Sequence, residues 1–207
     1  MIAEGRISTE RCRAVLVMAL LLLLVSGLSL GVLASDGDIE ERQIAAYHIE
    51  MGIYYRLWGL KDFANRHFER AMNTGVNRSE TALAAGTVSY IVGDYADALR
   101  WFDRDGYQGE NAAVMHVLEA SIFMNQAASG FVGSSSPSRT SLYRDARLAL
   151  ERALDLEPDM LAAKFLLATV HAIERRYEQA QSLLLSIPDG QRMDGVARLL
   201  ERIREEL

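Results

Sequence analysis

Apolar positions along this chain are arranged in two ways. Ala14 to Leu33 is a run of twenty residues without a charge, preceded by Arg6, Arg11 and Arg13. Beyond Ile39 the apolar residues recur every three or four places, the period of a helix face. The first such stretch carries Ile44, Tyr47, Ile49, Met51, Ile53, Tyr54 and Leu57, apolar around much of its circumference, as a helix with neighbours on two sides requires. Gly93-Asp94 interrupts the pattern, and Tyr95, Ala98 and Phe102 resume it. Tyr143, Ala146, Leu150 and Ala153, closed by Pro158, form a later face, and Tyr177, Ala180 and Leu184 another. Met193, Val196, Leu199, Leu200, Ile203 and Leu207 make the last. The pattern predicts an all-α domain.

The helical stretches repeat one another. Gly52, Gly59, Ala64 and Phe68 stand thirty-four residues before Gly86, Gly93, Ala98 and Phe102. One further period leads to Ala120, and its second helix at Tyr143 to Ala153 arrives about fourteen residues late, which predicts an insertion inside that repeat. Ala168, Tyr177, Ala180 and Leu184 supply a fourth. Small residues at a fixed place suit the closest crossing of paired helices, and the bulky ones fill the space between neighbours. This pattern resembles the tetratricopeptide repeat proteins over about residues 39 to 188. It implies an α-solenoid of about four helical hairpins at 45–78, 79–112, 113–158 with an insertion at 127–140, and 159–188. A capping helix at 190–207 follows, and the repeat domain as a whole is residues 35–207.

Departures from the pattern carry expectations too. Asp105 replaces a usual small residue in the second repeat, and Ile187 and Arg192 replace the small residue and terminal proline of the fourth. Shortened or bent second helices are expected there. Asp38 with Glu41, and Asn77 with Glu80, have the form of helix-capping pairs, which places the first helix start near Ile39. Asn77-Arg78-Ser79 also fits the glycosylation sequon, a short pattern that arises often by chance. The serine- and glycine-rich stretch between Gln126 and Ser141 reads as a mobile loop, with Phe131 and Val132 as either a contact tip or side chains tucked against the hairpin.

At about 1.5 Å per residue, Ala14–Leu33 as a helix spans roughly 30 Å, the thickness of a bilayer's hydrocarbon core. A secretory signal's apolar stretch is about 7–15 residues, so a retained transmembrane anchor over 14–34 is the preferred expectation. Residues 1–13 then stay in the cytoplasm by the positive-inside rule, and the repeat domain lies outside, in a bacterial periplasm or its equivalent. The alternative is cleavage after Ala34, since Val32 and Ala34 fit a signal-peptidase site, which frees the domain as a secreted or periplasmic protein. Gly27 and Gly31 form a small-xxx-small pair that would let two anchors dimerise, but weakening of the helix near a cleavage site is favoured as the reason for them.

Charge narrows the partners. The whole chain carries 28 acidic and 22 basic residues for a net charge of −6; without Glu4, Glu10 and the three leading arginines the counts are 26 and 19, a net of −7. Such a surface is a poor match for nucleic acid. The single cysteine, Cys12, precedes the apolar run, so the exported part has neither disulfide nor thiol chemistry. His48, His67, His116 and His171 do not form a metal-ligand spacing, although His48 and His116 occupy equivalent places in their repeats. No phosphate-cradling glycine loop and no catalytic set stands out, so no cofactor, metal or catalytic residue is expected and the chain reads as a non-enzyme.

The resemblance implies a membrane-tethered scaffold for protein–protein interaction in assembly or maintenance of an envelope complex. The alternatives are a constitutive subunit of a larger membrane complex and, less favoured, an enzyme accessory domain. The family's concave face carries over to Ile49, Ile53, Arg56 and Leu57, then Leu83, Thr87 and Tyr90, then Val117, Ser121 and Met124, and finally Phe165 and Thr169. Arg56 is its only formal charge. An apolar or amphipathic helix or peptide is the expected guest, with Tyr90 and Met124 near its centre.

Overall fold

The computed structural model describes residues 36–206 except 105, 106, 108 and 130–136. Among the described residues there are nine α-helices, one short 3₁₀ turn and no strand. The helices are α1 (Asp36–Leu57), α2 (Lys61–Asn73), α3 (Arg78–Ile91), α4 (Tyr95–Arg104), α5 (Ala112–Ala128), α6 (Arg139–Leu156), α7 (Leu161–Ile173), α8 (Tyr177–Leu185) and α9 (Asp194–Glu206). The chain divides into two compact modules, the first running to Trp101 and the second from Phe102.

In the first module α1 packs on α2, and α3 packs on both. Its core joins Ile49, Ile53, Ala64, Phe68, Ala71, Met72, Ala84, Ala85, Val88 and Trp101. Phe68 is fully buried, a burial that contributes about 1.5–3 kcal/mol. Gly52 is small for a physical reason: a Cβ there would lie 2.5 Å from the Phe68 ring. The small residue and the bulky one that repeat with the same period are therefore direct packing partners. In the second module α5 packs on α6, α6 on α7, α7 on α8, and α9 on both α7 and α8. Two clusters fill it. One is centred on Ala146, Leu150, Leu167 and Val170, the other on Ala168, Ala180, Leu184, Val196, Leu200 and Ile203. The crossing alanines Ala64, Ala98, Ala146 and Ala180 are all fully buried.

The tight turns share one closure. Gly59, at φ 77°, lets Leu60 N–H reach the Tyr55 carbonyl at 2.9 Å, and Gly93, at φ 83°, lets Asp94 N–H reach Ser89 O at 2.9 Å. This left-handed closure of a helix favours glycine because a Cβ is crowded there. After α7 the same position is Arg175, at φ 60°, with Arg176 N–H on His171 O at 2.8 Å. The second helices of the second and fourth repeats are short, with α4 at ten residues and α8 at nine, against thirteen for α2 and eighteen for α6.

Three local expectations are corrected. Helix α1 starts at Asp36 rather than near Ile39, so Asp38 lies within its first turn. Asn77 does precede α3, but in the left-handed region and without a side-chain cap bond. Thr81 instead bonds the Asn77 carbonyl with both its N–H and its hydroxyl, each at 2.8 Å. The loop after Gln126 is narrower than its composition suggested: α5 continues to Ala128, and α6 begins at Arg139 behind Ser138, whose hydroxyl accepts from Ser141 N–H at 3.1 Å. Phe131 and Val132, the segment 14–34 and Asp105 lie outside the described residues.

Candidate protein-binding site

Helix α3 begins beyond the Asn77 turn and presents Leu83, Thr87 and Tyr90, all half-buried. Tyr90 sits against Tyr95 with ring centroids 5.8 Å apart. Leu57, at the end of α1, packs partly on the first module's core. In the second module Ser121 and Thr169 are half-buried and tie their hydroxyls to the carbonyls of Val117 and Phe165, each at 2.9 Å. Met124 and Phe165 pack against the two cores from outside.

Four of the expected face residues are placed differently. Ile49, Ile53 and Val117 belong to the cores, where their apolar side chains contribute to folding rather than to an open surface. Arg56 is 6% exposed and is committed inside the first module. Its Nη2 donates to Asp94 Oδ2 at 2.7 Å and to Asp97 Oδ2 at 3.3 Å, and its Nε donates to Ser89 Oγ at 3.4 Å. Lys61 Nζ reaches the same Asp94 oxygen at 2.6 Å, Ser89 Oγ donates to Asp97 at 3.2 Å, and Arg100 pairs with Asp97. Asp94 also accepts the Asp97 N–H at 3.2 Å, which caps the start of α4. The Lys61 ammonium, with Arg56 beside it, pulls the Asp94 carboxyl down to about 2. With Arg56 used internally, the remaining expected residues of each module carry no formal charge.

The structure also joins residues that the sequence left apart. His48 and His67 face each other across α1 and α2, with Nδ1 to Nδ1 at 3.0 Å and rings edge to face. One of these nitrogens must donate and the other accept, so the contact holds a single proton. Burial lowers the basicity of both; Arg70 adds to this for His48, and the partner imidazole and then Arg70 for His67. His116 stacks on Tyr107 at 4.4 Å and bonds Glu119 at 3.1 Å. Burial, then Glu119, raises the Tyr107 hydroxyl well above the usual phenol range. A helical hairpin brings a residue before its turn against one after it, and the Gly59 turn was the signal available for the histidine pair.

Among the described residues no group of three or more His, Cys, Asp or Glu side chains is gathered to hold a metal ion. Nor is any described helix long and apolar enough to cross a membrane. What the two modules do offer is a set of half-buried apolar and hydroxyl side chains on helices, suited to contact with another polypeptide. No curated protein and no solved structure matches the chain. Residues 142–203, from the first turns of α6 into α9, match the family model of the tetratricopeptide repeat, which supports reading this chain as a tetratricopeptide repeat protein.

Proposed function

We propose that the protein is a membrane-tethered scaffold that binds other proteins during assembly or maintenance of an envelope complex. The observation that carries the binding role is the tetratricopeptide match over packed helical hairpins, a repeat whose common work is protein–protein interaction. The binding residues are Leu57, Leu83, Thr87 and Tyr90 in the first module, with Ser121, Met124, Phe165 and Thr169 in the second. An uncharged face favours an apolar or amphipathic helix or peptide as guest. The tether is Ala14–Leu33, retained with its arginines in the cytoplasm and the modules outside. Anchoring raises the effective concentration of a face of modest affinity toward membrane-bound partners.

The test places a photocrosslinking amino acid at Thr87 or Ser121 in the full chain within native membranes, with exposed Arg144 as control. A discrete adduct from either position, absent from the control, is expected. Adducts no stronger than the control at both positions would refute the face. The tether is tested separately: the chain should resist alkaline carbonate extraction, and a mature N-terminus at Ser35 would overturn anchoring.

A further inference from the structure

Helix α1 has two apolar sides. One holds Ala45, Ile49 and Ile53 in the core. On the opposite side Ile44, Tyr47, Met51, Tyr54 and Trp58 recur at spacings of three and four, a straight stripe that rises roughly 21 Å along the helix. Ile44 is 45% exposed, Tyr47 55%, Tyr54 43% and Trp58 68%. Leu60 and Phe63, beyond the Gly59 turn, continue the surface and are also exposed. The rings touch one another: Tyr54 lies 6.0 Å from Trp58 and 5.6 Å from Tyr55, and Tyr55 lies 5.7 Å from Phe63. Contiguous exposed apolar surface of this kind marks a contact site.

The sequence just before α1 bears on what covers it. The uncharged run Ala14–Leu33 stops two residues short of Asp36, where α1 begins. If that run spans a bilayer, the stripe is held within a few helical turns of the membrane surface. Its residue types suit that place. Tyrosine and tryptophan combine an apolar ring with a polar tip and collect at the boundary between lipid tails and headgroups. The edges of this surface carry both signs of charge: Glu40 lies in line with the stripe and Glu50 on its flank, while the Arg66 guanidinium lies over the Phe63 ring, 4.8 Å from its centroid. Acids beside a lone guanidinium make no basic cluster to gather anionic headgroups, and a zwitterionic headgroup can meet both signs with its ammonium and its phosphate.

We propose that the outer face of α1, with Leu60 and Phe63, lies flat against the interfacial layer of the bilayer and takes zwitterionic phospholipid as its partner. This rests on the anchored reading above and adds an orientation to it: the tether does not dangle the first module, which sits on the membrane by its aromatic side.

The chain's two tryptophans allow a direct test, because Trp58 is exposed and Trp101 is buried at 4%. The full chain and its Trp58→Phe variant are reconstituted in phosphatidylcholine vesicles, with and without lipid brominated near the headgroup. The wild-type chain should lose the Trp58 share of its emission to bromine, and the variant should lose none. Substitution at so exposed a position leaves the fold intact. Co-flotation with unquenched Trp58 would overturn the docking while leaving the anchor standing. Unquenched Trp58 together with a crosslinked pair of chains would assign the stripe to a second copy instead, and would equally overturn it. A chain that does not float with vesicles would remove anchor and docking together.

Discussion

Arg56 and Asp94 are thirty-eight residues apart in the chain, and their side chains meet at 2.7 Å. The same guanidinium reaches Asp97, which is 1% exposed. Removing one member of a buried ion pair leaves the other without a partner and typically costs more than the pair itself contributes. Lys61 and Arg100 remain near Asp97, so Arg56→Met should destabilise the first module by about 2–3 kcal/mol in chemical denaturation. Arg56→Lys should recover only part of this, since an ammonium cannot span Ser89, Asp94 and Asp97 from one planar group.

Acid should act on the same cluster. The Asp94 carboxyl is held at about 2 against an ordinary 3.8, so its contribution is full above about pH 4 and is lost as pH falls towards 2. Asp94 is about one-third exposed, and solvent screening limits that contribution to on the order of 1 kcal/mol. A pH series of urea melts should show the loss in the wild-type chain, and Asp94→Asn should flatten that limb of the curve.

The histidine pair titrates in a higher window. Both imidazoles are less basic folded than unfolded, so the stability linked to them is present above pH 6.5 and is lost as pH falls through their lowered values. A second proton also breaks the shared Nδ1 contact, with Arg70 already nearby. Amide protection in α1 and α2, taken relative to the intrinsic exchange rate at each pH, should fall between pH 7 and pH 5. His67→Asn should remove most of that change, and an equal loss of protection in the variant would show that the pair is not its source.

Arg175 adopts a left-handed backbone at a turn whose counterparts are Gly59 and Gly93. An L-residue there is strained by about 1 kcal/mol, partly offset by the chain freedom that glycine adds to the unfolded state. Arg175→Gly should therefore raise the second module's stability by about 0.5–1 kcal/mol, seen as a higher urea midpoint with an unchanged slope.

How far the sequence could be read followed the kind of constraint each residue obeys. Gly52 and Phe68 were legible because a size limit at a helix crossing recurs with every repeat, and a Cβ on Gly52 would strike that ring. Arg56 was not, because its place in the repeat is the same whether the side chain faces a guest or turns inward. The difference lies in Asp94 and Asp97, which in sequence look like ordinary solvated carboxylates. His48 and His67 meet only through the register of the α1–α2 hairpin. The aromatic stripe was visible as apolar residues on more than one side of α1, but which side would be covered depended on where α2 and α3 pack.

The hairpin of α5 and α6 has a fastened neck. Arg139 Nε donates to the Ala127 carbonyl at 3.0 Å, and the Ser138 hydroxyl starts α6 on its own. With both ends of the connection fixed by local bonds, loop-closure entropy changes slowly with added length, by about 0.6 kcal/mol for each doubling. The register of α6 against α5 is accordingly held by the Arg139–Ala127 clasp at the foot of the hairpin, whatever the length of chain that joins the two helices.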